Sequence, residues 1–184
     1  MKNSVIKNMV VTAMCIALCV VVPIAFHVIP NAGSVFLPMH IPVLLCGLVC
    51  GWQYGLLCGL VGPVISSLLT GMPGAAMLPS MVVECGMYGC VCGLMMAHIR
   101  TGRLVTDLYI SLPVAMLVGR VVSGIAKALI FAPGINLAAW ATASFVTGLP
   151  GILVQLILLP AIVGALTQAG LIPRRYIAER GIVA

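Results

Sequence analysis

The scarcity of charge constrains this chain more than any other feature of its sequence. Only nine Lys or Arg and three Asp or Glu occur among 184 residues, and 62% of the residues are hydrophobic. Soluble domains carry about a quarter charged residues, so the chain is predicted to be an integral membrane protein. At about 20 apolar residues per crossing, its length provides roughly six helices joined by short loops. The predicted fold is therefore all-α, as one membrane-embedded domain over residues 1–184.

Breakers rich in Gly, Pro and Asn divide the apolar sequence into six predicted transmembrane helices. The predicted helices span residues 5–26, 36–51, 52–70, 77–97, 107–131 and 145–168. Helices two and three are joined by a tight turn around Gly51, and 27–35, 71–76 and 132–144 are predicted loops. No Walker or dinucleotide-binding fingerprint occurs, so any energy from ATP has to come from a partner protein.

The basic residues outside the apolar runs predict the orientation in the membrane. They precede helix one, lie between helices four and five, and follow helix six: Lys2, Lys7, Arg100, Arg103, Arg174, Arg175 and Arg180. Six crossings place all of them on one side of the membrane. Because Lys and Arg concentrate in cytoplasmic loops, both termini are predicted to be cytoplasmic. These cations also meet anionic lipid, which explains the net charge of +6 without a nucleic-acid partner.

Three charged residues, Glu84, Arg120 and Lys127, fall inside the apolar runs. A charge in hydrocarbon costs about 2.5–3.5 kcal/mol on insertion scales and persists mostly where it faces protein, a cavity or a ligand. With a rise of about 1.5 Å per residue, all three are predicted in the outer half of helices four and five. Arg120 and Lys127 are two turns apart and share a face, and Tyr88 lies one turn from Glu84.

Two interpretations of these charges stay open at this stage. In one, Glu84 pairs with Arg120 or Lys127 to hold two helices together, and the spare Lys reaches outward. In the other, they line an outward-facing pocket for an anionic or carbonyl-bearing solute, under loops that carry amide and aromatic side chains. The predicted substrate-binding residues are Glu84, Arg120, Lys127, Tyr88, His40, Asn31, Asn136 and Trp140.

The cysteines and histidines predict neither a cofactor nor a metal site. All eight cysteines lie within apolar helices, where a free thiol behaves as a small hydrophobe. None forms a Cys-x-x-Cys pair, and His27, His40 and His98 are single and scattered.

Small residues recur at helical spacing in several of the predicted helices. Gly47, Gly51, Gly55 and Gly59 are spaced four apart, which favours close packing between helices inside the bundle. Ala13-x-x-x-Ala17 on helix one has the same spacing, and by spacing alone it fits an internal seam or a docking surface for another membrane protein equally well.

Three segments carry a resemblance to a known family. They are FLPMHIPVLLCGLVCG at 36–51, SSLLTGMP at 66–73 and LPSMVVE at 78–84, the last followed by Tyr88-Gly89. Together with the size and the six helices, they resemble the substrate-binding S components of energy-coupling factor (ECF) vitamin transporters. The likeness is strongest to the general branch that includes pantothenate- and pyridoxine-type S components.

The resemblance implies a mechanism in the bacterial plasma membrane. An S component binds its vitamin from outside, docks on a transmembrane T component that carries two ATPase subunits, and topples to release the vitamin inside. Ala13 and Ala17 then correspond to the family's docking motif on helix one. The substrate does not transfer with the fold: two cations favour an acid such as pantothenate, while Glu84 and His40 suit a pyridine such as pyridoxine.

Two other classes of function are alternatives to the S component. A stand-alone secondary carrier or channel for a small polar solute usually shows inverted repeats, which this short chain lacks. A membrane enzyme needs a nucleophile, an acid–base pair or a metal set, and a lone Glu84 supplies none of these. We expect no enzymatic activity.

Overall fold

The computed structural model describes residues 2–26, 32–131 and 136–172, and every regular element in these ranges is helical. The α-helices are α1 (Lys2–Phe26), α2 (Ala32–Phe36), α3 (His40–Cys50), α4 (Trp52–Thr70), α5 (Leu78–His98), α6 (Leu104–Ala126), α7 (Leu137–Ala141) and α8 (Leu149–Gln168). π-helical turns follow α6 at Lys127–Phe131 and precede α8 at Thr142–Thr147. The all-α prediction is confirmed for the described residues.

Five of these helices are long and apolar enough to cross a membrane: α1, α4, α5, α8 and the continuous run Leu104–Phe131. Predicted helix two differs from them. It begins at His40 instead of residue 36 and has only 11 residues, about 16 Å at 1.5 Å per residue. The cause lies just before it, where Leu37 adopts a left-handed φ of 51° and Pro38 has no backbone N–H to continue a helix.

The short helix α3 is the buried centre of the bundle. Eight of its 11 residues are buried, and it packs against α1, α4 and α5. Its start is held against α8, because Gln155 Nε2 donates a hydrogen bond to Leu37 O (3.3 Å) and the backbone of Phe36 lies directly against Gly151. The first residue of α3, His40, is thereby placed in the interior.

Glycines allow α4 and α5 to approach backbone to backbone. A methyl group added at Gly55 or Gly89 would strike the other residue's carbonyl oxygen, and one at Gly59 would strike the backbone of Cys85. Gly47 of α3 meets Gly89 in the same way. The predicted internal packing of these glycines is confirmed. Gly51 has another role, since its φ of 94° makes the single-residue turn between α3 and α4.

The ends of the chain's first and last long helices lie at the same end of the bundle. The Nζ of Lys7, near the start of α1, donates a hydrogen bond to the carbonyl oxygen of Leu171, just after α8. At the turn between α5 and α6, buried Asp107 accepts hydrogen bonds from the backbone N–H and the hydroxyl of Thr101.

The predicted loop 132–144 is partly helical where it is described. Asn136 accepts hydrogen bonds from the N–H groups of Ala138 (2.9 Å) and Ala139 (3.2 Å), and so caps the short helix α7. The following turn, Thr142–Thr147, is π-helical, and α8 begins only at Leu149, with Pro150 in its first turn. Helix α8 therefore begins four residues later than predicted helix six, because proline is favoured where a helix starts.

Candidate functional site

A buried polar cluster occupies the space where α3, α5 and α6 meet. Its members are His40, Glu84, Tyr88, Arg120 and Ser123. Tyr88 is fully buried and Arg120 is 3% exposed, whereas the Glu84 side chain retains 22% of its exposure. The cluster brings together four of the residues predicted from sequence, from three different helices.

Hydrogen bonds run through the cluster in one direction. Arg120 Nε donates to the hydroxyl of Tyr88 (2.9 Å), and that hydroxyl donates to Glu84 Oε1 (2.7 Å). The guanidinium and carboxylate are also an ion pair, with Arg120 Nε 3.7 Å from Glu84 Oε1. Ser123 Oγ lies 3.4 Å from the other carboxylate oxygen. The tyrosine hydroxyl thus sits between the two charges and fixes their relative positions.

Some donors in the cluster have no partner among the described residues. Arg120 Nη1 is buried without a hydrogen bond, and so are both ring nitrogens of His40. The His40 ring meets the Tyr88 ring edge-on, with centroids 4.9 Å apart. Leaving a buried polar group unpaired costs about 1–3 kcal/mol, so unpaired atoms at this site indicate a place for a ligand or for water.

Aromatic rings lie against one side of Arg120. The guanidinium carbon lies 5.6 Å from the centre of the Phe145 ring, within cation–π range. Trp140 meets Phe145 edge-on at 6.1 Å and lies flush against α6 at Gly124, where an added methyl group would strike the indole. The turns before α8 therefore place their aromatic side chains over the polar cluster.

A cleft of about 270 Å³ opens between α6 and α8 beside these groups. Arg120 is the charged residue among those that line it, and the other lining residues are apolar: Pro113, Met116, Leu117, Phe145 and Ile152. Small-molecule sites in proteins have volumes of about 300–1,000 Å³ and combine apolar walls with a few polar groups. The cleft has this composition, and its volume is slightly below that range.

Comparison with known proteins adds the decisive observation. The family model of the ECF transporter substrate-specific component matches residues 7–163. The chain belongs to this family. Neither a curated protein nor a solved structure matches it. The resemblance read from the sequence is thereby confirmed, and the chain is a multi-pass membrane protein with a substrate-specific role in transport.

The other predicted residues of this S component do not belong to the buried cluster. Lys127 begins the π-helical turn after α6 and is half-buried, and its side chain makes no hydrogen bond or ion pair with another described residue. Asn136 is exposed and uses its side-chain oxygen to cap α7. Asn31 and His27 lie outside the described residues. Ala13 and Ala17 are both exposed on α1, away from the site.

Reading the sequence missed Phe145, the ring nearest to the Arg120 guanidinium in this S component. Its predicted place at the start of a regular helix six does not determine the direction of its side chain. Its separation of five residues from Trp140 was the available signal, because two aromatic residues so close to a predicted outer loop are suited to covering a polar site. Met116 and Ile152 of the cleft are ordinary apolar residues in sequence and gave no signal.

Proposed function

We propose that this chain is the substrate-binding S component of an ATP-driven ECF importer. It binds a small water-soluble vitamin or related micronutrient from outside the cell. The family match over residues 7–163 carries this proposal. It is supported by a buried cluster that keeps unpaired donors on Arg120 and His40 beside a small cleft.

The proposed topology has six crossings, with both termini in the cytoplasm and residues 1–184 as one substrate-binding domain. The hydrogen bond from Lys7 to Leu171 supports an even number of crossings. The positions of Lys and Arg support the orientation. The cluster then lies in the outer half of the membrane, where a solute arriving from outside can reach it.

The proposed partners are a transmembrane T component and two ATPase subunits. The chain has no nucleotide-binding fingerprint, so the energy for uptake comes from these partners. Docking is assigned to α1, where Ala13 and Ala17 form a small-residue patch on a helix whose apolar side chains are largely exposed. Small residues at this spacing let a second helix approach closely in lipid.

The proposed substrate site consists of Glu84, Tyr88, Arg120 and His40 in the buried cluster, with Trp140 and Phe145 above it. Lys127, Asn31 and Asn136 complete the proposed rim on the outer side. The site combines charged, hydrogen-bonding and aromatic groups around a small volume. This combination suits a small polar molecule that also has an apolar part.

Purification followed by mass spectrometry and uptake measurements tests the proposal. One vitamin-like molecule per chain is expected to co-purify, and vesicles are expected to accumulate it only when the T component and both ATPases are present with ATP. Accumulation by the chain alone, driven by an ion gradient, would instead identify the stand-alone secondary carrier. Chemical turnover of the bound molecule would identify an enzyme.

A further inference from the structure

We infer that the substrate carries a carboxylate, which the unpaired Nη1 edge of Arg120 binds, and that Glu84 and Tyr88 position the guanidinium without touching the substrate. This inference rests on the proposed function and divides the roles within its site. It replaces the open choice between an acidic and a pyridine-type substrate with one chemical class.

Glu84 and Arg120 differ in whether their polar atoms have hydrogen-bond partners within the protein. Glu84 accepts a hydrogen bond from Tyr88 at Oε1, and Ser123 Oγ lies 3.4 Å from Oε2 and 3.2 Å from Arg120 O. Arg120 is engaged only through Nε, and its Nη1 is buried with no partner among the described residues. Nη1 of Arg120 is therefore the atom of this ion pair that is both buried and without a hydrogen bond, and the complement of a cationic donor is an anionic acceptor.

Arg120 is also the charged residue among those that line the cleft between α6 and α8, and neither Glu84 nor Tyr88 lines it. A planar guanidinium with free N–H groups at the wall of a small cavity matches a carboxylate in geometry as well as in charge. His40 supplies another buried ring without partners on the far side of Tyr88.

The surroundings of Arg120 add positive potential. Gly148 is the N-terminal cap of the 20-residue helix α8, and a methyl group added there would lie 3.2 Å from Arg120 Nη2. Lys127, two turns further along the chain from Arg120, is half-buried without a partner among the described residues. One carboxylate on Glu84 leaves an excess of positive charge for a monoanion to balance.

The rest of the cleft indicates the rest of the substrate. Phe145, Met116 and Ile152 present apolar surface beside Arg120. The proposed substrate is therefore a small monocarboxylic acid whose body is partly apolar.

Isothermal titration of the purified full-length protein with matched probes tests the class of substrate. The probes are pantothenate with panthenol, nicotinate with nicotinamide, and biotin with biotinamide, together with thiamine, riboflavin and pyridoxine. The tightest binder is expected to be a carboxylate whose uncharged partner binds at least about tenfold more weakly, as for loss of a charge-assisted hydrogen bond. If thiamine, riboflavin or pyridoxine binds most tightly, the inference of a carboxylate substrate is wrong and the proposed vitamin transport stands. If no probe binds, both are wrong.

Variants of the cluster test which residue binds the carboxylate of the substrate. Arg120→Gln is expected to reduce the carboxylate-to-uncharged affinity ratio to about one, while Arg120→Lys keeps part of it because the charge remains. Tyr88→Phe should lower the same ratio by releasing the guanidinium, and the loop variant Arg103→Gln should leave it unchanged. A ratio that survives in Arg120→Gln would overturn the inference. Equal losses for both probes in Tyr88→Phe would make Tyr88 a direct contact and overturn its positioning role.

Discussion

At the scale of single residues, the Glu84–Arg120 pair is either a structural link between two helices or part of the substrate site. Measurements of substrate affinity and of protein stability distinguish these two interpretations. Glu84→Gln keeps the shape and an oxygen that can accept from Tyr88, but it removes the charge that holds the hydroxyl and the guanidinium. Substrate affinity is expected to fall by about tenfold or more, since hydrogen bonds to charged groups are worth about 1.5–3 kcal/mol. Titration with the co-purified substrate measures this, and thermal unfolding in the same detergent is the control. Unchanged affinity with a collapse of the unfolding temperature would show that the pair serves only to join α5 and α6.

Individual charged residues were predictable from the sequence, and their connections were not. The energetic cost of charge in hydrocarbon drew attention to Glu84 and Arg120, which do meet across α5 and α6. The helical spacing also placed Tyr88 beside Glu84. The order of the hydrogen bonds depends on rotamers and on the angle between two helices, which spacing does not contain. Phe145 was missed for the same reason, because its direction depends on a π-helical turn.

Asn136 shows at the scale of a short element how one side chain can serve a site indirectly. Its oxygen caps α7, which carries Trp140 toward Phe145. Asn136→Ala is expected to lower substrate affinity, because loss of a cap costs about 1 kcal/mol in a five-residue helix. Asn136→Ser keeps a capping oxygen and should retain the affinity, as titration of both variants would show. An equal loss in both would assign the Asn136 amide to direct substrate contact.

The α4–α5 seam makes a second prediction about elements. Gly89→Ala is expected to destabilise the protein by about 1–3 kcal/mol, as overpacking does, because the added methyl group would strike the Gly55 backbone. Gly164→Ala on α8 is the matched control: nothing lies within 4 Å of the added carbon, so a gain of about 0.5–1 kcal/mol in helix propensity is expected. Thermal unfolding in detergent compares them. Equal stability of the two variants would contradict the packing account.

The extent of a helix was predictable where glycines bound the apolar run at both ends. The ends of α4 at Trp52 and Thr70 agree with the prediction, because glycines with positive φ flank both ends. Helix α3 was predicted too long, since Phe36, Leu37 and Pro38 continue the apolar run while the left-handed turn at Leu37 breaks the helix. Apolar composition indicates burial in lipid or protein, but it does not indicate where a chain turns inside a bundle.

At the scale of the whole molecule, the proposed docking surface is separate from the proposed substrate site. Ala13 and Ala17 are exposed on α1, and none of the cluster residues belongs to that helix. Ala13→Leu with Ala17→Leu is therefore expected to leave substrate binding intact and to abolish uptake, because two bulky side chains keep a partner helix from approaching closely. Ala161→Leu with Ala165→Leu is the matched control, with the same spacing and exposure on α8, and it should transport normally. Substrate titration, co-purification of the T component and uptake into vesicles would be measured for both pairs. Normal uptake by the α1 pair would remove docking from that face of the helix, and loss of uptake by both pairs would show that exposed bulk alone prevents the molecule from moving in its complex.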